Sequence, residues 1–195
     1  MVVIDSQKAL MARYSAGHKE KTRDLVIDLA ASCIRRDGLE GLGVAKIMAE
    51  AGLTHGGFYA HFSSRDQLLA AAVARLFDHG VETIAHFKSK HGEAALERYV
   101  DFYLSPRHRD DLTGGCPIPA LSSEVRHAAS EVRAAFEEGL DRLSEALGAI
   151  TPGGRKAALS LLGEMAGVLA LSRTLSDAKR SSEMLASARR SALLG

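Results

Sequence analysis

Two short stretches carry residues whose types and spacing could do chemistry. The first is Thr54-His55-Gly56-Gly57-Phe58-Tyr59-Ala60-His61-Phe62. Only Phe58 and Phe62, four residues apart, can anchor to a core; Thr54, His55, Gly56, Gly57, Tyr59 and His61 are polar or tiny. Two glycines early in a helix cost about 1 kcal/mol each relative to alanine. Such a pair makes sense where the backbone must come close to another molecule. The end of a helix facing phosphates and base edges in a DNA major groove is one such place. The plainer alternative is a loose turn between two helices of an all-helical protein.

The second stretch is Gly114-Gly115-Cys116-Pro117, with Arg107, His108 and Arg109 a few residues upstream. A cysteine at a proline-opened helix start sits where peptide dipoles lower a thiol's pKa and favour the thiolate. Cys116 could sense an oxidant or electrophile, or it could be a small thiol lining a pocket. Cys33 falls on the apolar face of its helix and reads as core. The two cysteines make neither a disulfide framework nor a zinc spacing, which fits a reducing cytoplasm. No metal and no cofactor is expected. An enzyme would have to use Cys116 with His108 or His127, yet the sequence has no phosphate loop, no nucleophile motif and no paired metal-ligating histidines. A helical adaptor for protein partners would leave the stretch 54–62 unexplained.

The elements that must position these residues are helices. No segment alternates as strands do, and a helical period recurs along the chain. A first helix over 22–36 places Leu25, Ile27, Leu29, Ala30, Cys33 and Ile34 on one broad apolar face and stops at Gly38. A second short helix runs over 44–51, with Val44, Ile47 and Met48 inward, and ends at Gly52. Leu53 plugs the turn, and Thr54 is the N-cap of a third short helix that reaches Phe62. Ser64 with Gln67 makes a capping box for a long helix over 65–90 that buries Leu68, Leu69, Ala72, Leu76 and Phe77. Further helices follow over 93–104, after Pro117, after Ser130, over 155–175 and over 182–194. The expected fold is all-α with about nine helices. Residues 1–20 form an N-terminal extension, 21–64 a three-helix helix-turn-helix domain, and 65–195 a helical ligand-binding and dimerisation domain. Residues 1–10 read either as preceding a later start or as an unstructured extension.

Bulk charge says little. The net charge is +1, and the first 68 residues hold nine Lys/Arg against eight Asp/Glu. A narrower window is more telling: Arg13, Lys19, Lys21 and Arg23 face only Glu20 and Asp24, with His18 beside them, and could meet phosphates or simply be a solvated end. The apolar start is too short and interrupted for a signal peptide. The most apolar region, 157–175, holds Glu164 and Arg173, so no membrane segment is expected.

Residues 22–69 resemble the DNA-binding domain of TetR-family regulators. The resemblance rests on the first helix ending at Gly38, the run AKIMAEAGLTHGGFYAHF, its Tyr-x-His-Phe ending, and the SSRDQLL that follows. YLSPRHRDD and GGCPIPALSSEV resemble one recurring variety of these regulators. The resemblance implies that Thr54, His55, Gly56 and Gly57 contact base edges and nearby phosphates, and that Tyr59 and His61 touch the sugar-phosphate backbone. It implies that Lys46, and the region of Lys21 and Thr22, reach phosphates. Gly43 stands where Ser or Thr is common, Arg65 where Lys is usual, and Gly57 where a larger polar residue would add a base contact. Direct readout would then lean on His55 and Thr54 and on DNA shape.

A regulator of this kind is expected to bind a palindromic double-stranded operator as a homodimer, and to release it when a small-molecule or electrophile effector binds. Candidate pocket residues are Phe87, Tyr99, Phe102, Tyr103, Cys116, Leu121, Phe136 and Met165, each of which could equally be plain core. The candidate dimer stripe is Ala158, Leu162, Met165, Ala166, Leu169 and Arg173, with Gly163 and Gly167 as close-contact points. If that stripe is internal core, the dimer face lies elsewhere.

Overall fold

The computed structural model describes the backbone of residues 3–111 and 113–194, and side-chain surroundings over 17–111 and 113–193. The described residues contain nine α-helices and no strand. Helix α1 spans Val3–Asp37, longer than the 22–36 that periodicity marks. Periodicity detects only the packed part of a helix, and no proline interrupts the earlier residues. The extension expected at 1–10 is therefore helical from Val3, while residues 1 and 2 lie outside the described ones. The buried face of α1 is Val26, Ile27, Ala30, Cys33 and Ile34; Leu25, expected inward, is 46% exposed. Gly38, at φ +77°, closes the helix with its N–H on the Ile34 carbonyl.

Helix α2 (Val44–Glu50) buries Ile47 and Met48. Gly52, at φ +73°, makes the sharp turn that follows, a backbone region costly for other residues. A 3₁₀ helix, His55–Ala60, comes next, tighter than the α-helix expected. Thr54 has the extended backbone of an N-cap, but its side chain makes no capping bond. Helix α3 (Arg65–His91) starts as the sequence indicates: the Ser64 hydroxyl accepts from the Gln67 N–H at 2.9 Å. The reciprocal bond comes from one residue earlier, with the Gln67 side-chain oxygen accepting from the Ser63 N–H at 2.7 Å.

The second half stacks α4 (Ala95–Tyr103), α5 (Pro106–Asp110), α6 (Ile118–Val125), α7 (Ser130–Gly148), α8 (Gly154–Thr174) and α9 (Ala178–Leu194) around α3. Helices α3 and α7 approach closely at Gly139, where any Cβ would fall 2.2 Å from the Phe77 ring. One hydrophobic core runs from Val26 in α1 through Phe77 in α3 to Leu185 in α9. Helix α3 thus belongs to both halves: its start carries the helix-turn-helix and its middle builds the rest of the core.

Candidate nucleic-acid interface and effector cavity

The 3₁₀ helix stands on two buried rings. Phe58 and Phe62 are 3% and 1% exposed, and their rings stack 5.5 Å apart. Most of the other residues expected to read DNA are exposed. Thr54, His55 and Gly56 are exposed, Tyr59 is 70% exposed, and Lys46 is exposed on α2. A Cβ at Gly56 would meet nothing within 4 Å, so no intramolecular contact requires a glycine there. At Gly57 the nearest neighbours would be at an ordinary 3.7 Å.

Basic residues from α1 converge on the far end of this segment. The Arg23 guanidinium lies 4.8 Å over the Phe62 ring. His61 is half-buried, and its Nδ1 has no partner among the described residues. Burial, then the charges of Lys19 and Arg23, hold its imidazole below the usual histidine range. The structure thus groups Lys19 and Arg23, two members of the basic window in the sequence, with His61, whereas the resemblance pointed to the region of Lys21 and Thr22. Arg65 is committed elsewhere, donating to the Leu39 and Leu42 carbonyls at 2.6 and 3.1 Å.

The cavity in the second half has a volume of about 40 Å³ and is lined by residues of α1, α3, α4, α5, α7 and the loop before α6. Of the candidates, Tyr99, Phe102, Tyr103 and Cys116 line it. The others lie apart from it. Phe87 packs its ring on Tyr99 and Phe102 at 5.8 and 5.5 Å, Phe136 packs edge-on to Phe77, and Leu121 and Met165 are fully buried core. Sequence reasoning missed Arg35, His79 and Thr83, and noted His108 only as a neighbour of the cysteine. No local signal marks Arg35, which comes from α1 and donates from Nη1 to the Thr113 carbonyl.

His108 is 3% exposed and locked in one tautomer. Its Nδ1 meets the Tyr103 carbonyl at 2.7 Å and so donates, while Nε2 accepts the Cys116 N–H at 3.0 Å. Burial is the main cause that holds it below the ordinary histidine range. The thiol of Cys116 departs from the sequence expectation. Burial pushes it above the ordinary cysteine value, against weaker opposite pulls from Tyr103, the Ile118 N–H, Arg35 and Arg173. The resting form is the thiol, because desolvation of a charge outweighs the helix-start effect here.

The candidate dimer stripe is corrected as well. Ala158, Leu162, Met165, Ala166 and Leu169 are each at most 4% exposed within the single chain. Arg173 turns inward and donates to the Arg109 and His108 carbonyls at 3.0 and 3.3 Å. These side chains are the core-facing side of α8, so they have no surface left for a second copy.

The Glu124 side chain helps tie the halves together. The Glu124 carboxylate, near the end of α6, accepts from the Leu39 N–H at 2.8 Å, just past α1. Gly38 leaves room for it: a Cβ there would fall 2.6 Å from the Glu124 carboxylate. The opposite end of α6 follows Cys116-Pro117 at the cavity. The same short helix therefore runs from the edge of the cavity to the turn after α1.

The chain is thus an all-α protein that presents an exposed polar segment at the tip of a helix-turn-helix. Residues 26–72 match the family described as bacterial regulatory proteins, tetR family. It is 29% identical over 107 residues to the uncharacterized HTH-type transcriptional regulator YvdT of Bacillus subtilis (strain 168), covering 51% of this chain and 52% of that protein. It is 30% identical over 92 residues to the HTH-type nicotine-responsive transcriptional repressor HdnoR of Paenarthrobacter nicotinovorans, covering 46% and 47%. The chain spans about half the length of these curated relatives. The fold is similar to that of Escherichia coli NemR in its reduced form, with TM-score 0.75, 19% identity, and 88% and 95% of the two chains covered. Among the described residues no helix is long and apolar enough to cross a membrane, and no three His, Cys, Asp or Glu side chains are grouped to hold a metal ion.

Proposed function

We propose that this chain is a ligand-responsive transcriptional repressor that binds a palindromic DNA operator as a homodimer and releases it when a small molecule occupies the cavity beside Cys116. The observation that carries this reading is the exposure of Thr54, His55, Gly56 and Tyr59 on a segment fixed from behind by Phe58 and Phe62. An exposed tyrosine and a glycine with no internal neighbour are what close approach to duplex DNA needs. Lys46, Lys19 and Arg23 add charge for the phosphates, with His61 and Tyr59 as further backbone contacts.

The dimer face proposed is the outer side of α8. Leu159 and Leu171 are 47% and 58% exposed, and exposed Gly163 and Gly167 fall between them at four-residue intervals. That spacing is one continuous stripe on a helix, and its glycines permit close approach. Leu193 of α9, 41% exposed, adds to the same kind of surface. Two copies joined there would present two reading segments, as a palindromic operator requires.

Release is proposed to run through α6 and α1. A ligand in the cavity displaces the Cys116-Pro117 start of α6, and the Glu124 bond passes that displacement to Leu39. The cavity, at about 40 Å³, is far below the several hundred Å³ of drug-sized sites, so a large effector must open it. The nicotine-responsive relative supports an effector-released repressor as a class without naming this chain's effector.

The test is a mobility-shift titration on the promoter region upstream of the chain's own gene at several salt concentrations. Log affinity should fall linearly with log salt as phosphates displace counterions. A slope near zero ends the DNA-binding reading.

A further inference from the structure

The cavity beside Cys116 holds two buried donors without a strong acceptor. The Tyr103 ring is 1% exposed, and its hydroxyl has no hydrogen-bond partner among the described residues. Its neighbour there is the Cys116 thiol, a weak acceptor. Arg35 lines the same cavity, its Nε–H is buried without a partner, and it makes no ion pair among the described residues. A buried donor left unpaired costs about 1–3 kcal/mol, and more when it is charged.

The other polar groups leave this imbalance uncorrected. His108 has both ring nitrogens engaged, one on the Tyr103 carbonyl and one on the Cys116 N–H. Asp111, the carboxylate that faces Arg35, makes no ion pair with it among the described residues; its Oδ1 accepts from the Thr113 N–H, the Thr113 hydroxyl and the Gly114 N–H at 3.0, 3.2 and 2.7 Å. A second cation, Arg173, lies behind Gly115. The Cys116 end of the cavity is therefore rich in donors and positive charge and poor in acceptors.

We propose that Arg35 and Tyr103 form an anion subsite that takes the carboxylate of a small aliphatic acid, with Arg35 Nε–H and the Tyr103 O–H as its donors. The volume sets the size. About 40 Å³ holds roughly three waters, which matches a carboxylate carrying one or two carbons. Phe102, Leu76 and Leu143 give the carbon end an apolar wall. The proposal rests on the reading of this cavity as the effector site and gives that site a ligand class. It also gives the ligand a second route to the DNA-binding half, because Arg35 belongs to α1 and a carboxylate bound there engages that helix directly.

The experiment measures thermal-unfolding midpoints of the full chain with acetate or propionate, against equimolar chloride and against acetamide or propionamide. The carboxylates should raise the midpoint with concentration and the isosteric amides should not. Tyr103→Phe, which removes an oxygen whose internal neighbour is only the weakly accepting Cys116 thiol, should fold normally and bind the carboxylates at least about tenfold more weakly. Arg35→Gln should abolish the shift. Equal shifts from acid and amide, no shift in the wild type, or undiminished shifts in Tyr103→Phe each overturn the subsite. DNA affinity read in parallel separates the two readings. Carboxylate binding that leaves DNA affinity unchanged keeps the subsite and removes the effector reading. Release by a neutral ligand that ignores both variants keeps the effector reading and removes the subsite.

Discussion

Of the chain's three Gly-Gly pairs, Gly56-Gly57 and Gly114-Gly115 are small for opposite reasons. At Gly56 an added Cβ meets nothing within 4 Å, and at Gly57 it meets ordinary contacts at 3.7 Å. At Gly114 it would fall 2.4 Å from the Asp111 carboxylate, and at Gly115 it would crowd the Asp111 carbonyl at 3.0 Å and His108 Nε2 at 3.1 Å. The first pair is small for the sake of something outside the molecule; the second is small because its own chain is in the way. Identical dipeptides thus mark an outward site and an inward one, and only the surroundings distinguish them.

That contrast can be broken most violently at the anchor of the outward site. Phe62→Ala should lower stability by about 3–5 kcal/mol in denaturant unfolding, because it empties a fully buried ring position. A loss under 1 kcal/mol would show that the reading segment does not hang on that ring. Gly114→Ala should cost about 1–3 kcal/mol, since Asp111 is held by three hydrogen bonds and cannot give way freely. Gly56→Ala sharpens the comparison by moving two quantities in opposite directions. Stability should rise by about 0.5–1 kcal/mol, while operator affinity drops about tenfold or more. If both rise together, the open space at Gly56 is not where DNA approaches. Tyr59→Phe should weaken binding about tenfold on all sequences alike with the unfolding midpoint unchanged, as loss of one phosphate contact requires.

The inward site makes a pH prediction. A histidine held below its ordinary value binds fewer protons folded than unfolded, so stability is complete above the unfolded value of 6.5 and is lost as pH falls beneath it. Protonation of His108 at Nε2 also removes the acceptor for the Cys116 N–H. His61 is depressed too, so His108→Gln should make the acid slope shallower without flattening it. The smallest effect expected is at the thiol: with Cys116 resting protonated, Cys116→Ser should still release DNA in response to a reversible ligand, measured by the same shift assay. Loss of response in that variant would restore a covalent role for the sulfur.

What the sequence could determine was whatever is written locally. Phe58 and Phe62 at i and i+4, the polar residues between them, the stop at Gly52 and the Ser64 cap are all statements about one helix or one turn, and the structure keeps each of them. The cavity was half legible: Tyr99, Phe102, Tyr103 and Cys116 were found because aromatic and thiol side chains are conspicuous, while Arg35 was not, being 78 residues from the Thr113 carbonyl it meets. On α8 the period identified a stripe but assigned it to the wrong partner. Helical spacing reveals that a face must be covered, and burial of Leu162 and Leu169 against the chain's own helices could be known only once those helices were in place. Tertiary structure likewise decided the ionisation of Cys116, because local dipoles can be read from sequence order, whereas desolvation depends on every element that closes over the group.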